Sequence, residues 1–192
     1  DVLELLGKAD NSILEIYTAN ESLVHQAMYI RDGMDWSTWA RNMHLLANSG
    51  KVKELHNVCT VNALCLESLT EFLSYLLKFK EQYGKDFPSF SLEIVHFPEF
   101  QSPMILPDKI RTLHKEKLQL WYDSNNNNEL LHERELSQIQ TLLSYLDVVK
   151  TPQISMPNLQ NKFKQFYTQY DQHCGKNFIK TFPSMKEWYD GL

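Results

Sequence analysis

The sequence predicts an α/β fold of about three parallel strands, followed by a helical C-terminal extension. Segments rich in β-branched and aromatic residues occur at 12–18, 52–61 and 90–97. Helical patterns separate these segments, and such alternation is typical of parallel strands joined by crossover helices. Beyond residue 107 the apolar spacing is helical, which places the extension after the strands.

The overall composition excludes several protein classes. The 192 residues are 43% hydrophobic and 22% charged, with a net charge of −5, which is typical of a soluble globular domain. The mildly acidic charge argues against nucleic-acid binding, and no apolar run approaches the about 18–20 residues that cross a membrane. Cys59, Cys65 and Cys174 are too few and too scattered for a disulfide scaffold or a cluster site, which favours a reducing, cytoplasmic compartment.

The first strand and the helix after it have local boundary signals. The strand candidate SILEIYT, at 12–18, is bounded by Asn and Asp residues. Asp35 is a favourable N-cap because its carboxylate accepts hydrogen bonds from the free N–H groups of a first turn, and Gly50 suits the end of the helix. The apolar positions follow spacings of three and four: Trp36, Trp39, Met43 and Leu46.

The second and third strands flank another helix. VKELHNVCTV predicts the second strand at 52–61, and FSLEIVHF predicts the third at 90–97. Between them Ser68 and Glu71 have the spacing of a capping box, and Gly84 suits the helix end. One face of this helix carries Leu69, Phe72, Leu73, Leu76 and Lys80.

The remaining sequence predicts a proline-punctuated loop and then helices. Pro107 suits the first turn of the first helix, and the polar residues 123–128 predict a loop or linker. A helix is predicted at 129–150, and Ser184 with Glu187 has the spacing of a cap for a short last helix. The expected buried positions are Ile110, Leu113, Leu120, Leu136, Ile139, Leu143, Leu146, Leu159, Phe163, Phe166, Tyr170, Met185 and Trp188. We therefore divide the chain into an α/β part, 1–106, and a helical extension, 107–192, packed on it.

No motif identifies a catalytic or metal site. The seven histidines form no HxH, HExxH or HxxxH pair, and the six glycines form no P-loop or GxGxxG. The charges of LHERE, at 131–135, indicate a solvated helix face. Among the histidines, His96 at the end of the third strand is the best candidate to line a ligand pocket. The alternative is that His96 has a structural role only.

Polar residues follow each predicted strand, where parallel α/β folds bind ligands. The residues expected at this carboxyl edge are Ala19, Asn20 and Glu21 after the first strand, Thr60 and Asn62 after the second, and His96, Phe97 and Pro98 after the third. Arg31 lies nearby, and its guanidinium fork matches a carboxylate. For each residue the alternative is a helix cap or a loop hydrogen bond, and the sequence leaves that choice open.

The segment ANESLVHQAMYIRDGMDWSTWARNM, at 19–43, resembles the region after the fourth barrel strand of radical S-adenosylmethionine (SAM) proteins of the Twitch-domain type. There an acidic position follows the strand, and the motif EYIR-x-G-x-DW precedes a helix. The residues that match in register are Glu21, Tyr29, Ile30, Arg31, Gly33, Asp35, Trp36 and Asn42.

Three later segments continue the resemblance in the order of the family. CTVNALCLESL resembles the fifth strand, FPEFQSPMILPDKIR the loop after the sixth, and YDQHCGKNFIKTFPSMKEWY the closing segment. The matching residues are Thr60, Val61, Asn62, Pro98, Leu106, Pro107, Asp171, Phe182 and Pro183. The chain departs from the pattern at Ala19, where serine is frequent, at Cys65, where asparagine is common, and near His173, where an arginine is expected.

The resemblance implies the C-terminal half of a partial (β/α) barrel, from the fourth strand onward. The family's CxxxCxxC loop, which holds a [4Fe–4S] cluster, and its glycine-rich SAM motif do not occur here. The first residues look like a cut through the middle of a fold. The parent enzyme would cleave SAM to a 5′-deoxyadenosyl radical and abstract hydrogen from an unknown substrate. Alone, this half is expected to be inert and to need the missing N-terminal half as its partner.

The resemblance also implies roles for residues at the carboxyl edge. Strands four and five would supply ribose and methionine contacts to SAM, and the loop after strand six would pack on adenine. The contacts would come from Glu21, Arg31, Thr60, Asn62, His96 and Pro98, with no catalytic or metal-binding residue in this chain. The alternatives are a complete, non-catalytic α/β binding or protein-interaction domain, and an adaptor whose exposed strand edge pairs with another chain.

Overall fold

The computed structural model describes residues 14–148 and 156–192. Strands and helices alternate in its first half, and helices make up the remainder. The elements are β1 (Leu14–Ala19), α1 (Val24–Ile30), α2 (Trp36–Asn48), β2 (Val52–Val61), α3 (Leu69–Tyr83), β3 (Ser89–Ile94), α4 (Asp108–Asn125), α5 (Glu133–Leu146), α6 (Met156–Cys174), α7 (Phe178–Thr181) and α8 (Lys186–Asp190). Within the described ranges, no helix is long and apolar enough to cross a membrane.

The three strands form one parallel sheet in the order β1-β2-β3. The register sets Tyr17 beside His56, and His56 beside Ser89. The predicted α/β class, with three parallel strands and a helical C-terminal part, is confirmed. Whether the sheet belongs to a barrel stays a prediction, as does the division into two parts at residue 106.

One face of the sheet is buried under helices. Successive strand residues point to opposite faces, so Leu55, Cys59 and Val61 of β2 share this covered face. The main hydrophobic cluster joins Cys59 and Val61 to α3 and also takes in residues of α4 to α8. A smaller cluster at the other end of the sheet contains Met43, Leu55 and Phe79. The helical extension therefore shares its main core with the sheet.

Helix α5 covers the outer edge of β3. Glu135 Oε1 accepts a hydrogen bond from the backbone N–H of Phe90 at 2.8 Å, and Gln138 Oε1 accepts one from Leu92 at 3.0 Å. The Nζ atom of Lys80 on α3 lies 2.9 Å from Glu135, and both side chains are buried. These contacts satisfy N–H groups that a further strand would otherwise take, so the sheet ends at β3.

Several predicted boundaries are confirmed. The Asp35 carboxylate accepts a hydrogen bond from the Thr38 backbone N–H at 2.6 Å and caps α2. Gly50 and Gly84 follow their helices at φ +66° and +100°, conformations in which a side chain is strained. The second strand spans the predicted residues, and β1 matches the described part of the first, whose residues 12 and 13 lie outside the described ranges.

Both predicted capping boxes are wrong. The Ser68 hydroxyl makes no cap hydrogen bond and instead contacts the hydroxyl of Ser22. The Ser184 hydroxyl donates to the Glu67 carboxylate, and Met185 takes the N-cap position of α8. In each case a tertiary partner takes the hydroxyl, which a pattern of local spacing does not reveal.

Other corrections concern element ends and buried faces. The strand predicted at 90–97 ends at Ile94, and α4 continues to Asn125 through part of the predicted loop. The helix predicted at 129–150 spans Glu133–Leu146, and its predicted last two residues lie outside the described ranges. Leu113, Leu120 and Phe166 are exposed rather than buried. The residues that α4 and α6 bury are Arg111, His114, Leu118, Trp121, Leu159, Phe163 and Tyr167.

Helix α1 is an element that the sequence analysis missed. Its first residue, Val24, has φ +39°, and Leu23 at the N-cap makes no side-chain hydrogen bond. A β-branched residue at positive φ is strained, and a leucine gives no capping signal. The start of α1 therefore has no local sequence signature, and its position depends on tertiary contacts.

Candidate functional site

The carboxyl ends of the three strands bring the predicted site residues to one edge of the sheet. The parallel ladder continues past the strands, because the Asn20 backbone N–H donates to Val58 O at 3.2 Å and that of Val95 to Val61 O at 2.9 Å. Glu21 therefore lies next to Thr60 and Asn62, and the segment after β3 flanks them on the other side. Local rules place each residue at a strand end, and parallel pairing brings the ends together.

A buried ion pair forms the centre of this edge. Arg31 donates to Glu21 Oε2 through Nη2 at 2.6 Å and through Nε at 3.2 Å. The Glu21 side chain is 2% exposed and the Arg31 side chain 30% exposed. Burial raises the pKa of Glu21, while the Arg31 guanidinium and the backbone N–H of Thr60 act in the opposite direction. The carboxylate that Arg31 binds is thus one of the chain's own.

The turn after α1 is anchored to the C-terminal helices, and this anchoring positions Arg31. Tyr29 Oη donates to Asp171 Oδ1 at 2.7 Å, and its ring packs edge-on against Phe182. Lys176 Nζ lies 2.6 Å from Asp32 and donates to the Met28 carbonyl at 2.9 Å. A cation at a carbonyl of the last turn stabilises the C-terminal end of α1. The position of Arg31, the next residue after α1, is fixed by this anchoring.

Asn62 is occupied by its own loop. Its Oδ1 accepts hydrogen bonds from the backbone N–H groups of Leu64 at 2.9 Å and Cys65 at 3.1 Å, and its Nδ2 donates to the Thr60 carbonyl. The side chain therefore shapes the turn that leaves β2. This is the loop hydrogen bond that the sequence left open as an alternative to ligand binding.

The segment after β3 is the most exposed part of the edge. His96 is exposed, and its ring packs edge-on against Tyr145 at a centroid distance of 5.4 Å. Phe97 is 88% exposed, and Pro98 is half-buried. The structure thus gathers Glu21, Arg31, Thr60 and Asn62 closely, and leaves His96 and Pro98 on the rim.

The second face of the sheet is polar and partly open. Tyr17, His56 and Ser89 lie side by side across the three strands, and the Tyr17 side chain is 63% exposed. Parallel sheets usually bury apolar residues on both faces, so a polar row here is unusual. Sequence analysis missed this face, although the period-2 alternation of polar and apolar residues in 52–61 was the available signal.

A cavity of about 750 Å³ opens on this face at the amino-terminal ends of β2 and β3. His56 bridges the two strands there: its Nδ1 lies 2.8 Å from Ser89 Oγ and its Nε2 lies 3.0 Å from Ser91 Oγ. Burial lowers the pKa of His56, so the ring is neutral near pH 7. Arg134, from the first turn of α5, lines the same cavity.

The described residues offer no ligand set for a metal ion. Among residues 14–148 and 156–192, no three His, Cys, Asp or Glu side chains come together as metal ligands. Cys59 and Cys65 are fully buried, and burial raises the pKa of each thiol. Both thiols are therefore protonated near pH 7, and neither belongs to a group of three such side chains within the described ranges.

Comparisons with protein-family models, curated proteins and solved structures found no match to this chain. The resemblance to the radical SAM family therefore depends on the order and spacing of the sequence motifs.

Proposed function

We propose that the chain is the C-terminal half of a radical SAM barrel of the Twitch-domain type, and that its carboxyl edge contacts SAM in the parent enzyme. The observation that carries the proposal is the asymmetric sheet. Its β3 edge is covered by α5, whereas no strand pairs with the outer edge of β1 within the described ranges. Further barrel strands would add at β1, and the polar second face would line the interior.

The edge residues differ in what they can offer SAM. Glu21 is enclosed, and Arg31 is the member of the ion pair whose side chain is still 30% exposed. Its Nε and Nη2 already bind Glu21, so the carboxylate of the methionine moiety would share the guanidinium with Glu21. The exposed His96 and the half-buried Pro98 would flank adenine, and Thr60 and Asn62 would hold the ribose side through the β2 turn. The cluster that cleaves SAM would be bound by the other half.

The proposal is tested on the gene product extended upstream of Asp1, reconstituted anaerobically with iron and sulfide. With SAM and dithionite, we expect formation of 5′-deoxyadenosine, detected by liquid chromatography and mass spectrometry. Arg31→Met should weaken SAM binding by about tenfold, the effect of one charge-assisted hydrogen bond. Arg41→Met, which changes an exposed arginine of α2, is the matched control. An upstream sequence without CxxxCxxC, or a product that binds no cluster, would overturn the assignment.

A non-catalytic α/β binding or protein-interaction domain is the second candidate, and one observation favours it. The polar groups of Glu21 and Asn62 already have partners within the chain, so this edge is held together without a ligand. A natural start codon immediately before Asp1 would support this candidate. The same reconstitution experiment separates the two, because a binding domain forms no 5′-deoxyadenosine.

A further inference from the structure

The amino-terminal end of the open face holds a second constellation of reactive groups, apart from the carboxyl edge. His56 lies between Ser89 and Ser91, with ring-nitrogen to hydroxyl distances of 2.8 and 3.0 Å. A neutral imidazole has one acceptor nitrogen and one N–H, so one hydroxyl donates to the ring while the other accepts from it. This is the arrangement of a nucleophile, a base and an orienting group.

Accessibility distinguishes the two serines. Ser91 is 4% exposed and does not line the cavity, whereas Ser89 is half-buried and lies in its wall with His56 and Arg134. A reagent that enters the cavity can therefore reach Ser89 Oγ. In the tautomer that carries its proton on Nε2, the ring donates to Ser91 Oγ and Nδ1 accepts from the Ser89 hydroxyl.

We propose that Ser89 is a nucleophile activated by His56, and that it accepts an acyl group from small activated carboxylic esters. Ser89 Oγ bonds to the acyl carbon while the bond from that carbon to the leaving oxygen breaks. His56 Nδ1 takes the Ser89 proton and passes it to the leaving group, so an ester and a free alcohol or phenol result. Arg134 supplies a cation for the oxyanion, and Ser91 is a positioning residue.

The test is acylation of the chain with p-nitrophenyl acetate. We expect about one acetyl group and one released p-nitrophenol per chain at completion, with the acetyl on the Ser89 peptide by mass spectrometry. Ser89→Ala should abolish this product, and His56→Gln should slow it by about 100-fold, the lower range of a general base. Ser144→Ala, which changes an exposed serine of α5, should have no effect. Acetylation of Ser89 no faster than that of Ser144, or unchanged labelling of His56→Gln, would overturn the proposal.

The pH profile of the unaltered chain tests the base without any substitution. Burial is the largest influence on the pKa of His56 and lowers it below 6.5, and the charges of Arg134 on α5 and Lys80 on α3 act in the same direction. The carboxylates of Glu54 on its own strand and Glu135 on α5 raise it, and the titratable Tyr17 of β1 packs against the ring. The labelling rate should therefore rise below pH 6.5 and level off above it. A rate that climbs about tenfold per pH unit between pH 7 and 9 would indicate hydroxide instead of His56.

Ser91→Ala separates a positioning role from a structural one. Loss of the Ser91 acceptor removes a hydrogen bond that favours the protonated ring, so the midpoint of the pH profile should move to lower pH. A purely structural role would change the rate and leave the midpoint where it is. An unmoved midpoint would remove Ser91 from the proposed site.

Discussion

The two outer edges of the sheet, at β3 and at β1, differ in what pairs with their backbone. At β3, the side chains of Glu135 and Gln138 accept hydrogen bonds from the strand backbone, and Lys80 neutralises Glu135. At β1, no strand pairs with the outer edge within the parts of the chain that the structure describes. One edge is closed by a buried polar network, and the other has no strand partner among the described residues.

Because the two edges differ in this way, substitutions at each edge should have different effects. The contacts that cover the β3 edge bury the charged side chains of Lys80 and Glu135, which costs desolvation energy. Burial also lowers the pKa of Lys80. The Lys80 Nζ atom also donates to the Lys85 carbonyl at 2.6 Å, so the ammonium is held on more than one side. A substitution at the closed edge should therefore cost stability, whereas one at β1 should chiefly change association.

The largest expected effect is that of Lys80→Met. It leaves the Glu135 carboxylate buried without its cation, and loss of one partner of a buried pair costs about 3–5 kcal/mol. Urea unfolding followed by circular dichroism measures the loss. Lys78→Met, at an exposed position of the same helix, should change stability by less than about 0.5 kcal/mol. Equal losses in the two variants would show that the closed edge does not depend on the ion pair.

The next largest expected effect is the loss of stability that His114 causes in acid. This loss adds to any acid titration of the variants at the two edges. His114 is buried, neither ring nitrogen has a hydrogen-bond partner among residues 14–148 and 156–192, and burial lowers its pKa from 6.5 to about 4. Its folded pKa is below the unfolded value, so stability is present above pH 6.5 and is lost as the pH falls towards 4. The linked loss is about 3 kcal/mol.

His114→Leu should remove that acid-dependent loss and should be more stable than the parent at pH 5. Thermal unfolding of the parent and the variant between pH 7 and pH 4 gives the difference directly. His173→Leu, at an exposed position of α6, is the matched control and should follow the parent. If the parent and His114→Leu lost stability in parallel, His114 would not be the group responsible.

Arg31→Met tests the carboxyl edge near β1 and should cost about 2 kcal/mol, because a charge-assisted hydrogen bond to a buried group is lost. The pKa of Glu21 is already raised by burial and should rise further without the guanidinium. A raised folded pKa means that stability is lost as the pH rises through it. The cost should therefore be larger at pH 8 than at pH 5.

Urea unfolding of Arg31→Met at pH 5 and pH 8 checks that sign. The double variant Glu21→Gln with Arg31→Met should regain part of the stability at pH 8, since no buried charge remains. A cost that is the same at both pH values would mean that Glu21 does not carry the effect.

Local rules were sufficient for much of the fold and for part of the site. The strands, the Asp35 cap and the glycines at helix ends depend on neighbouring residues and could be predicted. Ser68 was mispredicted because its partner, Ser22, is 46 residues away, and Glu135 was placed on a solvated face although it closes the β3 edge. The pairing of Arg31 with Glu21 depends on helix α1, which has no start signal in the sequence.

The smallest expected effect concerns the open edge itself. Tyr17 on β1 is 63% exposed, and an outer edge that no strand pairs within the described ranges should let the chain associate with itself at high concentration. A lysine on an edge strand opposes such pairing because two like charges would be brought together. Tyr17→Lys should therefore weaken self-association by about tenfold, or ~1.4 kcal/mol. Sedimentation velocity over a range of concentrations measures this shift.

Glu93→Gln is the matched change at β3, because it alters net charge by the same single unit on an exposed residue of the closed strand. Since α5 already occupies the N–H groups of that edge, this variant should associate as the parent does. Equal weakening by both variants would mean that net charge, rather than the β1 edge, governs association. A parent chain that stays monomeric at all concentrations would show that the outer edge of β1 is not available for pairing.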